Sequence, residues 1–121
     1  MKKILIIEDD TILLSTLADN LTQAGFEIIK AEDGEKGLVS ALDAKPDLIL
    51  LDILLPKMDG ITLLKKLRQD AWGKRVPVII LTNLNSPKDI AEAVEWAEEY
   101  LIKSEWKIED VIGRVREKLK Q

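Results

Sequence analysis

Three short runs without a single polar residue, Ile4-Leu5-Ile6-Ile7, Leu48-Ile49-Leu50-Leu51 and Val78-Ile79-Ile80-Leu81, limit this chain more than any other feature. A strand with one wet face alternates apolar and polar residues, so unbroken runs of this length fit strands covered on both sides. The segments between them have helical period. Leu13, Leu14, Leu17 and Leu21 share one face of a helix over 11–24, with Gly25 to stop it. Asp33 can cap a helix running to about Ala44, and the turn Met58-Asp59-Gly60 precedes the stripe Ile61, Leu63, Leu64 and Leu67. Ser86-Pro87 is an N-cap and first-turn pair for a helix reaching about Glu98. Val111, Ile112, Val115 and Leu119 make the last helix amphipathic, and 26–31 and 100–102 are strand-like. Strands alternating with helices imply βαβ units with right-handed crossovers. The expected fold is one doubly wound α/β domain over 1–121, a five-stranded parallel sheet with five helices.

Composition narrows the function. A net charge of −4 disfavours a nucleic-acid-binding face, which would be basic. The chain has no Cys and no His, which removes thiol nucleophiles, imidazole catalysis and His- or Cys-ligated zinc. Only four apolar residues separate Lys3 from Glu8, too few for a signal peptide or a membrane span, so a cytoplasmic protein without a membrane partner is expected.

In doubly wound folds ligands collect beyond the carboxyl ends of the strands. Glu8, Asp9 and Asp10 follow the first strand, Asp52 the third, Thr82 the fourth and Lys103 the fifth. Converging carboxylates repel unless a cation neutralises them, and an all-oxygen set suits Mg²⁺. A metal, a lysine and a hydroxyl around a carboxylate nucleophile suit phosphoryl transfer through an acyl phosphate. Each residue alone has an ordinary explanation. Asp9 or Asp10 could cap a helix, Asp52 could be a turn acid before Pro56, Thr82 a β-branched strand residue and Lys103 a solvated charge. Trp72, Trp96 and Trp106 fit core edges better than a ligand site. Four complementary sites at four strand ends outweigh these separate readings.

The whole chain closely resembles the response-regulator receiver domain of two-component signalling. The likeness lies in Ile4 to Asp10, in Asp47 to Gly60 with Asp52, Pro56 and Asp59, in Pro77 to Thr82, and in Tyr100-Leu101-Ile102-Lys103. It implies flavodoxin-like strand order 2-1-3-4-5 and a signalling switch rather than an enzyme. It further implies that Asp52 accepts a phosphoryl group from a sensor histidine kinase or phosphotransfer protein. Asp9 would ligate Mg²⁺ directly, Glu8 largely through water, and Leu54 through its backbone carbonyl, with Asp10 capping the adjacent helix. Thr82 and Tyr100 would be the switch pair, and Lys103 would bridge the phosphoryl group and the acids. Output is expected through the face of the last two helices and last strand. Leu54 and Leu84, two residues after Asp52 and Thr82, would flank the path of a hydrolytic water and give a long-lived phosphorylated form.

This sequence departs from the family pattern at Ser104, where Pro is usual, and at Asn83, where a small residue is usual. The interval from Thr82 to Tyr100 is about one residue short, with no Gly near Trp96-Ala97. Other classes fit less well. A haloacid-dehalogenase-type phosphatase wants a second acid where Leu54 stands, and a dinucleotide-binding module wants a Gly-rich loop after the first strand. A degenerate receiver serving only as an interaction domain would not keep the acids, Thr and Lys together. With the last helix reaching the end of the sequence, no DNA-binding effector is expected in this chain, and the downstream partner is left open.

Overall fold

The computed structural model describes residues 1–120. The chain runs β1 (Lys3–Ile7), α1 (Thr11–Gln23), β2 (Glu27–Ala31), α2 (Gly34–Ala44), β3 (Leu48–Leu51), α3 (Gly60–Gln69), β4 (Val78–Thr82), α4 (Pro87–Val94), β5 (Glu99–Ile102) and α5 (Ile108–Leu119). A single 3₁₀ turn, Lys103–Glu105, links β5 to α5. All strands are parallel in the order β2-β1-β3-β4-β5, as the resemblance implies.

The apolar runs divide between two cores because successive strand residues point to opposite faces. Ile4, Ile6, Leu48, Leu50, Ile79 and Leu81 pack with α1 and α5 through Leu14, Leu17, Leu21, Val111 and Val115. Leu5, Ile7, Ile49, Leu51, Val78 and Ile80 pack with α2, α3 and α4 through Ala41, Leu63, Leu64, Leu67 and Ala93. The tryptophans lie at core edges as expected, Trp106 on the first core and Trp72 and Trp96 on the second.

Helix starts follow local chemistry. Asp10, Asp33, Asp59 and Ser86 each accept amide hydrogen bonds at the N-termini of α1, α2, α3 and α4. Asp10 therefore has the capping geometry that the resemblance implies. One helix end differs from the sequence expectation: α4 stops at Val94 instead of near Glu98, and the Glu95 and Trp96 amides tighten the last turn with i→i−3 bonds to the Glu92 and Ala93 carbonyls. Phe26 precedes β2 as a buried residue instead of opening it.

Sheet register carries the strand ends to one place. Ile7 lies opposite Leu51, and the Asp52 amide donates to the Ile7 carbonyl at 3.0 Å, so Glu8 and Asp52 leave the sheet side by side. Thr82 lies opposite Ile102, and Lys103 follows at once.

Candidate functional site: an acidic pocket closed by a lysine

Glu8, Asp9 and Asp52 bring carboxylate oxygens within 4.8 Å of one another. Glu8 and Asp52 are buried, whereas Asp9 faces solvent. Lys103 reaches the pocket from the end of β5. Its Nζ lies 2.7 Å from Glu8 Oε1 and 2.8 Å from Asp52 Oδ2. The other oxygen of each buried acid also has a donor. The Asp10 amide donates to Glu8 Oε2 at 3.0 Å, and the Leu54 amide donates to Asp52 Oδ1 at 3.2 Å.

Burial, with the neighbouring Asp52 charge, raises the Glu8 carboxyl above the usual range although the Lys103 ammonium and the Asp10 amide pull it back. For Lys103, burial alone would lower the pKa. The hydrogen bonds from its ammonium to Asp52 and Glu8 outweigh burial and hold it above the ordinary lysine value. Lys103 is thus a fixed positive charge at any physiological pH. The Lys103–Ser104 peptide is trans, so serine in place of the family's proline does not keep the ammonium out of the pocket.

Thr82 is fully buried at the end of β4, and its Oγ1 accepts the Leu84 amide at 3.3 Å. Tyr100 is half-buried and donates its hydroxyl proton to the Leu84 carbonyl. Burial, then the charges of Asp89 and Asp52, raise its pKa. Leu84 therefore touches both through its backbone, amide to Thr82 and carbonyl to Tyr100. Asn83 is exposed. Leu54 is exposed, and Leu84 packs against the second core.

The start of α3 is held against the backbone just after β3, where the Gly60 amide donates to the Ile53 carbonyl at 2.8 Å. A Cβ on Gly60 would come within 2.5 Å of the Asp52 carbonyl oxygen, so only glycine admits this approach. The structure brings Glu8, Asp9, Asp52 and Lys103 together, and Lys103 is ion-paired directly to Glu8 as well as to Asp52.

The donor set fits a hard divalent cation: oxygen-only, converging, and open to solvent on the Asp9 side. Such an acidic cluster is typical of the metal site of a receiver domain.

A doubly wound sheet in order 2-1-3-4-5, with acids after β1 and β3 and a lysine after β5, defines a receiver-type signalling module. The chain belongs to the response regulator receiver domain family, which matches residues 4–116. It is thus a module of two-component signalling rather than an enzyme in its own right. It is 38% identical over 122 residues to the DNA-binding dual master transcriptional regulator RpaA of Synechocystis, covering 100% of this chain and 50% of that protein. Over 103 residues it is 40% identical to the alkaline phosphatase synthesis transcriptional regulatory protein PhoP of Bacillus subtilis, covering 84% of this chain and 42% of that protein. The chain spans about half the length of these curated relatives. Among solved structures, a CheY-like receiver domain protein from Methanospirillum hungatei superposes with a TM-score of 0.90 at 29% identity, covering 99% of this chain and 94% of that one. A two-component response regulator from Clostridium difficile superposes with a TM-score of 0.91 at 31% identity, covering 100% and 98%. Among the described residues, no helix is long and apolar enough to cross a membrane.

Proposed function

We propose that this domain is a phosphorylation switch in which Asp52 is the phosphoacceptor and Thr82 and Tyr100 carry the signal to a partner-binding face. The observation that carries this reading is the Lys103 ammonium held between buried Asp52 and Glu8, beside solvent-facing Asp9. In the reaction, an Asp52 carboxylate oxygen attacks phosphorus of a phosphohistidine on a histidine kinase or phosphotransfer protein. The new O–P bond forms as the P–N bond breaks, and the electron pair and a proton go to the leaving imidazole. Asp52 is oriented for attack by its two donors, the Leu54 amide and Lys103.

Asp9 and Asp52 would hold Mg²⁺ directly with the Leu54 carbonyl, and Glu8 through water. The ion would supply charge neutralisation for the phosphoryl oxygens. The Thr82 Oγ1 already accepts from Leu84, which leaves its O–H free to donate to a phosphoryl oxygen. A shift of Thr82 toward that oxygen disturbs the Leu84 backbone, and with it the carbonyl that holds Tyr100. Release of that hydroxyl lets the ring turn inward and reshapes the α4–β5–α5 face. The curated relatives are named as transcriptional regulators, which supports a transcriptional output for the protein this domain serves.

Phosphoramidate, a small P–N donor, supplies the test. With Mg²⁺ it should shift the amide resonances of Thr82, Leu84 and Tyr100, and without Mg²⁺ it should not. Shifts confined to residues away from these strand ends would overturn the reading.

A further inference from the structure

Outside the acidic pocket, one side chain ties the end of α3 to both the α3–β4 and the α4–β5 connections. Arg68 lies in the last turn of α3 with its side chain 11% exposed. Its Nε donates to the Trp96 carbonyl at 2.9 Å, and its Nη1 donates to the Gly73 and Val76 carbonyls at 2.8 and 2.7 Å. Its Nη2 lies 3.0 and 3.3 Å from the two carboxylate oxygens of Glu98. Every direction of the guanidinium fork meets an acceptor, which compensates for removing the charge from water.

Glu98 extends the clasp into the sheet. Its Oε2 accepts the Val78 amide at 2.9 Å, while its own amide donates to the Val78 carbonyl at 3.0 Å. This is the point where β5 joins β4. β5 is an edge strand of four residues with one neighbour, so few ladder bonds define its register. That register matters because it sets Tyr100 opposite Ile80 and Ile102 opposite Thr82. A slip of one residue would turn Tyr100 to the other face of the sheet and displace Lys103 by about 3.3 Å. The preceding helix does not define the register, since α4 ends at Val94 with a right-handed cap residue and no glycine. Beyond α4, the Trp96 carbonyl is held by Arg68.

We propose that Arg68 is the positioning residue of the switch: by bonding Trp96 and Glu98 it fixes the register of β5 on β4, and so the places of Tyr100 and Lys103. The importance of Tyr100 rests on the function proposed above, but the register claim stands without it. Lysine cannot substitute, because one ammonium with three donors cannot span acceptors laid out for a planar fork.

Tyr100 is the only tyrosine in the chain, so labelling with 3-fluorotyrosine gives one ¹⁹F reporter at this position. The full chain without phosphoryl donor should show one sharp resonance. Arg68→Lys, confirmed as folded by its amide spectrum, should split or broaden it, and Arg68→Ala should do the same. A single resonance at the wild-type position in folded Arg68→Lys would overturn the proposal. Should neither variant fold, the wild type provides a second measurement. The Val78 amide, whose acceptor is the Glu98 side chain, should exchange with deuterium as slowly as the Glu98 amide in the backbone ladder. Exchange as fast as that of exposed Asn83 would overturn the proposal equally. Adding beryllofluoride and Mg²⁺ to the wild type separates the two claims. A ¹⁹F resonance that stays still then refutes Tyr100 as the switch ring, and leaves the effect of Arg68→Lys standing.

Discussion

The Nζ of Lys103 lies 2.8 Å from the Oδ2 of Asp52, a contact between residues 51 positions apart that ties the end of β5 to the end of β3. The same ammonium holds Glu8 at 2.7 Å, so a resident cation offsets two buried carboxylates.

Lys103→Ala removes that charge from two acids that water reaches poorly. It should cost stability on the order of 1–3 kcal/mol, discounted from a fully buried pair because the lysine is partly exposed. The variant should still bind Mg²⁺, yet phosphorylation should no longer reach Thr82 and Tyr100. Fluorescence of Trp106, three residues on and packed against the first core, should follow the change in the wild type and stay flat in the variant. A variant that responds like the wild type would reduce Lys103 to a stabilising ion pair.

For the metal, Mg²⁺ titrated into the protein should perturb the amides of Asp9, Asp52 and Leu54 most. Asp9→Ala should weaken binding without lowering the melting temperature, since Asp9 is exposed and among the described residues pairs with no cation. Perturbations scattered over the surface, or undiminished binding in the variant, would count against the site.

The cap of α3 gives a pH-dependent prediction. Burial pulls the Asp59 pKa upward, but the Thr62 amide and hydroxyl, bonded to its carboxylate at 3.0 and 2.8 Å, outweigh burial and lower it. A carboxyl with a lowered folded-state pKa adds stability that is fully present above its unfolded value of 3.8 and is lost as pH falls through the folded value. Asp59→Ala should therefore cost about 1 kcal/mol at neutral pH. The gap from wild type, followed by chemical denaturation, should narrow only below pH 3.8. A gap that is constant into strong acid would assign the cap to shape alone.

The fold was legible where burial alone decides it. β1, β3 and β4 are nearly or wholly buried, so their unbroken apolar runs announced both the strands and a sheet covered on two faces. The site was legible because Glu8, Asp9, Asp52, Thr82 and Lys103 each stand at or just after a strand end, where the fold collects ligands. The end of α4 was not legible. Nothing local marks Val94 as a terminus, and what holds the following turn is Arg68, which is distant in sequence and indistinguishable there from the solvated charges of Lys65 and Lys66. The convergence of Lys103 on the acids was legible from the resemblance, but its individual contacts with Glu8 and Asp52 were not, because sequence brings charges to one pocket without saying which atoms will touch.

Persistence of the phosphorylated form is a kinetic prediction. Leu54 and Leu84 offer no polar group to orient a hydrolytic water, which should raise the barrier by about 1–3 kcal/mol, roughly ten- to a hundredfold in rate. After removal of the donor, label should be lost over minutes or longer. A Leu54→Asn, Leu84→Glu double variant should decay faster. Loss within seconds in the wild type, or no acceleration in the variant, would contradict this role for the leucines.

The phosphoacceptor itself is tested most directly by intact mass. After incubation with acetyl phosphate and Mg²⁺, the wild-type protein should gain the mass of one phosphoryl group, and hydroxylamine should remove it as expected of an acyl phosphate. Asp52→Asn should stay folded and gain nothing. Full, hydroxylamine-sensitive labelling of Asp52→Asn would place the nucleophile elsewhere and contradict the account.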